Sequence, residues 1–156
     1  LYEGGIRVPM IVRWPDKVKP GTLCDTPVIS MDFFPTFLEL ADLKPGKQLI
    51  DGESLLPIFK QTGELKRKAI YFHYPNYAWH MDNRLGSVIR EGDWKLIRNY
   101  DDNSLELYNL PKDLSEKKNV AKQNPKLAAR LNQKLTGWLK ATGAPMPRPP
   151  RAVKEN

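Results

Sequence analysis

The second half of the chain combines four short strand-like runs with one amphipathic helix, and this combination limits the folds open to it. The runs are rich in β-branched and aromatic residues, and tight-turn residues separate the last three. The predicted strands are Ala69–Tyr74, Ser87–Arg90, Trp94–Asn99 and Leu105–Leu110. Because turns this short join antiparallel neighbours, the pattern predicts an antiparallel meander. Alternation along Trp94–Asn99 is imperfect, which predicts one buried face and one partly wet face.

The helix predicted after these strands runs from Asn124 to Ala141. Asn124 is a favourable N-cap, Pro125 suits the first helical position and Gly143 follows the last turn. Apolar residues recur between them at four-then-three spacing: Leu127, Leu131, Leu135, Trp138 and Leu139. Such a stripe covers a sheet, so residues 66–143 are predicted to be an α+β unit, a small antiparallel four-stranded sheet covered by a C-terminal helix.

The first part of the chain has a different pattern. Val8 to Trp14 is apolar and β-branched, which predicts a strand that stops at Pro15. Ser30 or Asp32 can cap a helix, and we expect that helix to bury the apolar residues that recur along it. Those residues are Phe33, Phe34, Phe37, Leu38 and Leu40. The boundary between the two parts is predicted in the polar segment 60–68, and residues 144–156 are predicted to be an extended proline-rich tail.

Composition excludes several classes of function. The formal net charge is +7, but the basic residues are scattered and not interleaved with aromatic residues, so we favour a solvated or anionic-substrate surface over a nucleic-acid site. No apolar run approaches the roughly 20 residues that span a membrane. Cys24 is the single cysteine. It cannot form an internal disulfide or, with two histidines, a zinc site, and we interpret it as a small buried apolar residue.

The stretch YFHYPNYAWHMDNR, between the first two predicted strands, holds the chain's two histidines, His73 and His80, together with Arg84. Aromatic and imidazole groups bury poorly without partners, so this loop is a candidate ligand site. The alternative is structural: His73 donates to a backbone carbonyl, and Arg84 pairs with Asp82 or Asp93. No serine lies in a nucleophile-elbow pattern. The residues alone therefore indicate a possible ligand loop and no catalytic centre.

Four stretches of the chain resemble, in order, the type I, formylglycine-dependent sulfatases, arylsulfatase-like members of the alkaline-phosphatase superfamily. The four stretches are LYEGGIRVPMIVRWPDKVKPGT, DTPVISMDFFPTFLELADL, IDGESLLPIF and GSVIREGDWKLIRNYDDNSLELYNLPKDLSEKKNVA. They cover residues 1 to about 140. The resemblance implies that residues 1–65 are the C-terminal end of an α/β sulfatase catalytic domain, 66–143 the sulfatase C-terminal subdomain and 144–156 the tail. Glu3 and Arg7 match the family motif and are interpreted as structural.

The resemblance implies a parent enzyme that hydrolyses sulfate esters with a calcium ion and a formylglycine. The family's metal ligands, its formylglycine cysteine and its last active-site lysine precede the segment matched here, so we expect no catalytic or metal-binding residue in this chain and no activity of the chain alone. Cys24 lies in LCDTPV, which lacks the C-x-[PS]-x-R context of conversion to formylglycine. Bacterial sulfatases of this type are often exported, which favours a periplasmic or extracellular location.

The same resemblance implies that this chain forms the substrate-side wall of the pocket. His73, His80 and Arg84 are expected to contact a sulfated carbohydrate or aryl sulfate, although Asn76 stands where the family often has a second histidine. Two alternatives stay open: a non-catalytic module that binds sulfated polysaccharide, and part of a phosphonate or phosphodiester hydrolase. Neither nucleic acid nor membrane is an expected partner, and self-association is expected through an unpaired edge at Val8 to Trp14.

Overall fold

The computed structural model describes residues 1–76 and 84–148. The chain divides into two compact units, one formed by Leu1–Arg7 with Ala69–Asn156 and the other by Val8–Lys68. We call the first the sheet unit and the second the Val8–Lys68 unit. Leu1–Arg7, which includes the short helix α1 (Glu3–Ile6), belongs to the sheet unit. The domain boundaries expected at residues 65 and 143 stay predictions.

The sheet has four antiparallel strands in chain order, as the sequence predicts. The strands are β1 (Ala69–Tyr74), β2 (Gly86–Glu91), β3 (Trp94–Asn99) and β4 (Leu105–Asn109). In the register Val88 lies opposite Ile97, and Leu96 lies opposite both Ile89 and Leu107. The α+β prediction is confirmed, because all four expected strands form one antiparallel sheet. The bounds of β2 and β4 differ from the expected ones by no more than one residue at either end.

Both faces of the sheet are covered, which explains the imperfect alternation of its strands. On one face Ile89, Leu96 and Leu107 form a core with α4 (Pro125–Ala141), which contributes four buried residues. Those four are Ala128, Leu131, Leu135 and Leu139. On the other face a smaller cluster of Val88, Ile97, Tyr108 and Leu110 packs against Leu1 and Phe72. Central strands covered on both faces carry apolar residues at successive positions.

The ends of α4 differ in how well the sequence predicts them. Gly143 has φ +61° and the Ala144 N–H donates to the Leu139 carbonyl at 2.9 Å, so the helix ends in the left-handed turn that glycine favours. The expected side-chain cap by Asn124 is absent. Its Nδ2 donates instead to the Val120 carbonyl at 3.1 Å, a local bond that competes with capping.

The Val8–Lys68 unit contains a 3₁₀ turn (Ser30–Asp32), α2 (Phe33–Leu40) and α3 (Leu56–Phe59). The strand predicted at Val8 to Trp14 does not form, and the Ile11 side chain is 93% exposed. Residues with high β propensity form a strand only beside a strand that accepts their hydrogen bonds, and the described strands β1 to β4 pair with one another. Self-association through this segment stays a prediction.

Two further expectations for this unit are wrong. Of the five apolar residues expected to be buried by α2, Leu38 is half-buried and the other four are exposed, with Phe37 at 62%; the side chain that α2 buries is Thr36. Cys24 is exposed rather than buried. Helical spacing of apolar residues marks a face suited to burial, but the described residues of this chain supply nothing that covers it.

Within the part of the chain that the structure describes, no helix is long and apolar enough to cross a membrane.

A polar cluster around the fully buried Asp32 holds the unit together, and we call it the Asp32 clamp. The Asp32 carboxylate accepts the backbone N–H groups of Ile29 (2.9 Å) and Glu53 (3.1 Å) and both ends of the Arg67 guanidinium. The Glu53 carboxylate in turn accepts the backbone N–H groups of Lys66 (2.6 Å) and Arg67 (2.7 Å). Segments far apart in sequence thus meet at one carboxylate.

Candidate functional site

His73 is fixed at both ring nitrogens where β1 approaches its end. Its Nδ1 lies 2.6 Å from Ser87 Oγ, and that hydroxyl lies 2.6 Å from the Tyr100 hydroxyl. Its Nε2 lies 2.7 Å from the carbonyl oxygen of Pro145, beyond the end of α4. The strand register explains the first contact, because His73 and Ser87 are direct partners across β1 and β2.

For a neutral His73 ring, these contacts determine which nitrogen carries the hydrogen. A carbonyl oxygen only accepts, so Nε2 carries the proton and donates to Pro145. Nδ1 is then the acceptor, Ser87 donates to it, and Tyr100 donates to Ser87. The outward atom of His73 is consequently a donor, which suits an oxygen of a ligand as well as it suits the peptide carbonyl. The structural alternative raised for His73, a bond to a backbone carbonyl, is the contact present here.

Arg84 lies just before β2, and it is surrounded by carboxylates. Its Nε and Nη2 donate to Asp101 at 2.9 and 2.8 Å. The same Nη2 lies 2.7 Å from Asp102, and Nη1 lies 3.4 Å from Glu106. The side-chain bonds from Asp101 and then Asp102 outweigh partial burial and raise the pKa of Arg84 above its usual range. Bonds from Ser104 and then Arg84 lower the pKa of Asp102 to about 2.

Glu106 connects this cluster to α1 and the sheet. Its carboxylate accepts the hydroxyls of Tyr2 (2.8 Å) and Tyr108 (2.6 Å) and the amide of Asn99 (2.7 Å). Burial first, and then the bond to Glu106, raise the pKa of Tyr2 to about 12. Both tyrosines therefore stay neutral donors at physiological pH. The three carboxylates around Arg84 carry more negative charge than its one guanidinium can balance. Arg84 is therefore better suited to fixing its end of the loop than to binding a further anion.

A third polar cluster, which the sequence analysis missed, holds α1 against the sheet. Lys95, fully buried, lies 3.0 Å from Glu3 and 2.8 Å from Glu116, and the Glu3 backbone N–H donates to the Glu116 carboxylate. Arg7 contacts Glu3 at 3.5 Å, so the structural interpretation of Glu3 and Arg7 agrees with their contacts. A lysine between apolar residues of a central strand was the available signal, because such a position requires a buried anionic partner.

The structure places the candidate residues at the two ends of one loop. His73 precedes it on β1, Arg84 lies two residues before β2, and His80 lies outside the described residues. The assignment of all three to substrate binding stays a prediction. Among residues 1–76 and 84–148, no three His, Cys, Asp or Glu side chains are grouped so as to hold a metal ion. The described residues therefore do not fit the calcium site expected of the parent enzyme.

Comparison with known protein families shows which family the chain belongs to. The family model described as N-sulphoglucosamine sulphohydrolase, C-terminal, matches residues 1–141. The chain belongs to this family. The resemblance of the chain to the C-terminal portion of a sulfatase is thereby confirmed, and the match includes both units of the structure.

Relatives of this N-sulphoglucosamine sulphohydrolase C-terminal region are much longer than the chain. A sulfatase of Formosa agariphila is 36% identical over 92% of the chain and 29% of its own length. An N-acetylglucosamine-6-O-sulfatase of Bacteroides thetaiotaomicron is 34% identical over 77% of the chain and 22% of its own length. A protein solved in complex with its substrate D-glucosamine-2-N,6-O-disulfate is 33% identical, with TM-score 0.60, over 70% of the chain and 23% of that protein. The chain thus spans less than a third of each.

Proposed function

We propose that this chain is the C-terminal portion of a sulfatase that hydrolyses sulfate esters of carbohydrate, and that it forms the substrate-side wall of the pocket. The observation that carries the proposal is the family match across residues 1–141. Two of the relatives support carbohydrate as the substrate class, one through its name and the other through its bound sugar. The parent also accepts an aryl sulfate in this proposal, as a small substrate that makes fewer contacts with the wall.

The chemistry of sulfate ester cleavage is assigned to the rest of the parent. The described residues do not fit a metal site, and the context of Cys24 is not that of a formylglycine precursor. Calcium and formylglycine therefore belong, in this proposal, to the part of the parent outside this chain, and the parent acts in the periplasm or outside the cell. We expect the isolated chain, supplied with calcium and an aryl sulfate, to show no turnover above a blank.

The wall is the loop between β1 and β2, and the contacts at its ends suggest how it works. Arg84 donates to Asp101 and Glu106 and fixes one end. His73 supports the other end and presents the Nε2 donor, which here bonds to Pro145. In this proposal a sugar hydroxyl or sulfate oxygen takes the place of the Pro145 carbonyl, and His80 supplies a second donor from within the loop.

The exposed apolar face of α2 gives the proposal a structural consequence. Phe34, Phe37 and Leu40 are each between 45% and 62% exposed, an arrangement that monomeric surfaces avoid when such residues are contiguous. We propose that the remainder of the parent covers this face.

The test compares two substrates in the full-length parent. His73→Ala should lower kcat/KM for the sulfated sugar at least about tenfold, roughly 1.4 kcal/mol, and leave a small aryl sulfate nearly unchanged. Asn124→Ala is the matched control, because it also removes one side-chain bond to a carbonyl, in a segment away from the loop. Equal losses on both substrates, accompanied by a fall in Tm, would show that His73 serves the fold.

A further inference from the structure

The outer face of α4 is entirely basic in its charged residues. The helix sequence PKLAARLNQKLTGWLKA contains Lys126, Arg130, Lys134 and Lys140 and no Asp or Glu. All four side chains are exposed. At about 100° per residue their spacing places them within about 120° of the helix circumference, opposite the stripe that includes Leu131 and Leu135. We call this set the α4 basic face.

Few anions balance this face. Glu91 contacts both Arg130 and Lys134, whereas Lys126 and Lys140 have no carboxylate partner among residues 1–76 and 84–148. Lys126 also lies in the first turn, where the helix dipole disfavours a cation, and that turn contains no acidic residue. Four cations facing one carboxylate leave an excess of positive charge. Lys126 is therefore a charge that the stability of the helix itself does not favour, whereas the dipole favours Lys140 in the last turn.

Gly137 opens a gap in the middle of this face. It is exposed, and a Cβ added to it would meet nothing within 4 Å, so packing does not require a glycine there. Glycine in an exposed helix interior destabilises the helix relative to alanine. Lys134 and Lys140 lie one turn to either side of it. The result is a bare stretch of backbone flanked by cations, against which one face of a sugar ring can rest.

We propose that the α4 basic face binds a sulfated polysaccharide, with sulfates on its cations and a sugar ring over Gly137. This site goes beyond the proposed function, because it holds polymer and cleaves nothing. Lys126 and Lys140 are separated by about 21 Å along the helix, so the face spans several sugar units. A nucleic acid fits less well, because Trp138, the helix's aromatic residue, is stacked on Tyr71 at 4.8 Å and is not available to a base.

The experiment measures binding of the chain to heparin as the probe, at several salt concentrations. The double variant Lys126→Gln, Lys140→Gln should weaken binding at least about tenfold and make its dependence on salt shallower by about two released counterions. Lys17→Gln, Lys19→Gln is the matched control, since both lysines are exposed and the same charge is removed from the Val8–Lys68 unit. The control should weaken binding less than about twofold.

Three results would overturn the proposal. Equal losses in the two double variants would show that heparin senses only net charge. Absence of heparin binding by the unaltered chain would contradict it directly. Binding of single-stranded DNA of matched charge at least as tight as that of heparin would indicate a nucleic-acid surface instead. Because the assay needs no hydrolysis, each of these results is independent of the proposed sulfatase activity, which the kinetics of the full-length parent test.

Discussion

The two units of this molecule differ in the size of their apolar cores. The sheet unit buries Ile89, Leu96 and Leu107 beneath α4. In the Val8–Lys68 unit, Asp32 and Thr36 are among the fully buried residues, while the aromatic residues of α2 are exposed. The sheet unit is closed by two apolar clusters, whereas the Val8–Lys68 unit combines the Asp32 clamp with three buried leucines, Leu55, Leu56 and Leu65.

Amphipathic periodicity shows which face of a helix is suited to burial, but it does not show whether another element covers that face. Both α2 and α4 carry apolar residues at helical spacing. Leu131 of α4 is fully buried by the sheet, whereas Phe37 of α2 is largely exposed. Burial of apolar area is the dominant stabilising term in folding, so substitutions in the two helices should have unequal effects.

The largest effect is expected at Lys95, whose ammonium contacts both Glu3 and Glu116. Lys95→Met removes the buried cation that these two carboxylates share and leaves Glu3 with the more distant Arg7 and Arg90, so it should lower the free energy of unfolding of the sheet unit by about 3 to 5 kcal/mol. Urea unfolding followed by far-UV circular dichroism measures the change. The control Lys140→Met removes an exposed charge and should cost less than about 0.5 kcal/mol. Similar costs for both variants would contradict the buried network.

The next effect compares one large apolar residue from each helix. Leu131→Ala should destabilise the chain by about 2 to 5 kcal/mol, because it removes fully buried methyl groups and leaves a cavity. Phe37→Ala should cost less than about 1 kcal/mol in the isolated chain, because its ring is already largely in water. A loss under about 0.5 kcal/mol for Leu131→Ala would mean that α4 does not cover the sheet.

A smaller effect is expected from acid on the Asp32 clamp. Burial alone would raise the pKa of Asp32, but the bonds from Arg67 and from the Ile29 and Glu53 N–H groups outweigh it and lower the pKa. Since the folded pKa lies below the unfolded value of about 3.9, the stabilisation is present above that value and is lost as pH falls through the folded pKa. Amide resonances of Glu53 and Leu55 report the transition.

Arg67→Met sharpens this acid test. Without the guanidinium, the hydrogen bond and the positive charge that help to lower the pKa of Asp32 are lost, so the transition should move to higher pH. An unchanged transition would show that Arg67 does not stabilise the carboxylate. Amides of Ile89 and Leu96 in the sheet unit serve as the internal control and should not follow the shift.

The sheet unit was predictable from sequence because its signals and its contacts are local. The β2 and β3 runs meet through the Gly92 turn, and Gly143 marks the end of α4 with the positive φ that favours glycine. The resemblance to sulfatases was likewise readable from short motifs. The histidines and aromatic residues at and after the end of β1 pointed to a candidate site there, and that assignment stays a prediction.

Other features depend on contacts that no local pattern contains. The bonds of His73 to Ser87 and Pro145 join residues that are distant in sequence, and so do those of Arg84 to Asp101 and Glu106. The strand expected at Val8 to Trp14 and the buried face expected for α2 failed for one reason. Both patterns require a neighbour, and the described residues of this chain do not provide it.

Amide hydrogen exchange can be compared between the isolated chain and the full-length parent. If the sheet unit is closed by its own contacts and the rest of the parent covers the α2 face, amides of β2, β3 and α4 should exchange at similar rates in both proteins. Amides of α2 should be protected at least about tenfold more in the parent. Equal protection of α2 in the two proteins, or a large gain in β2 and β3, would contradict this account.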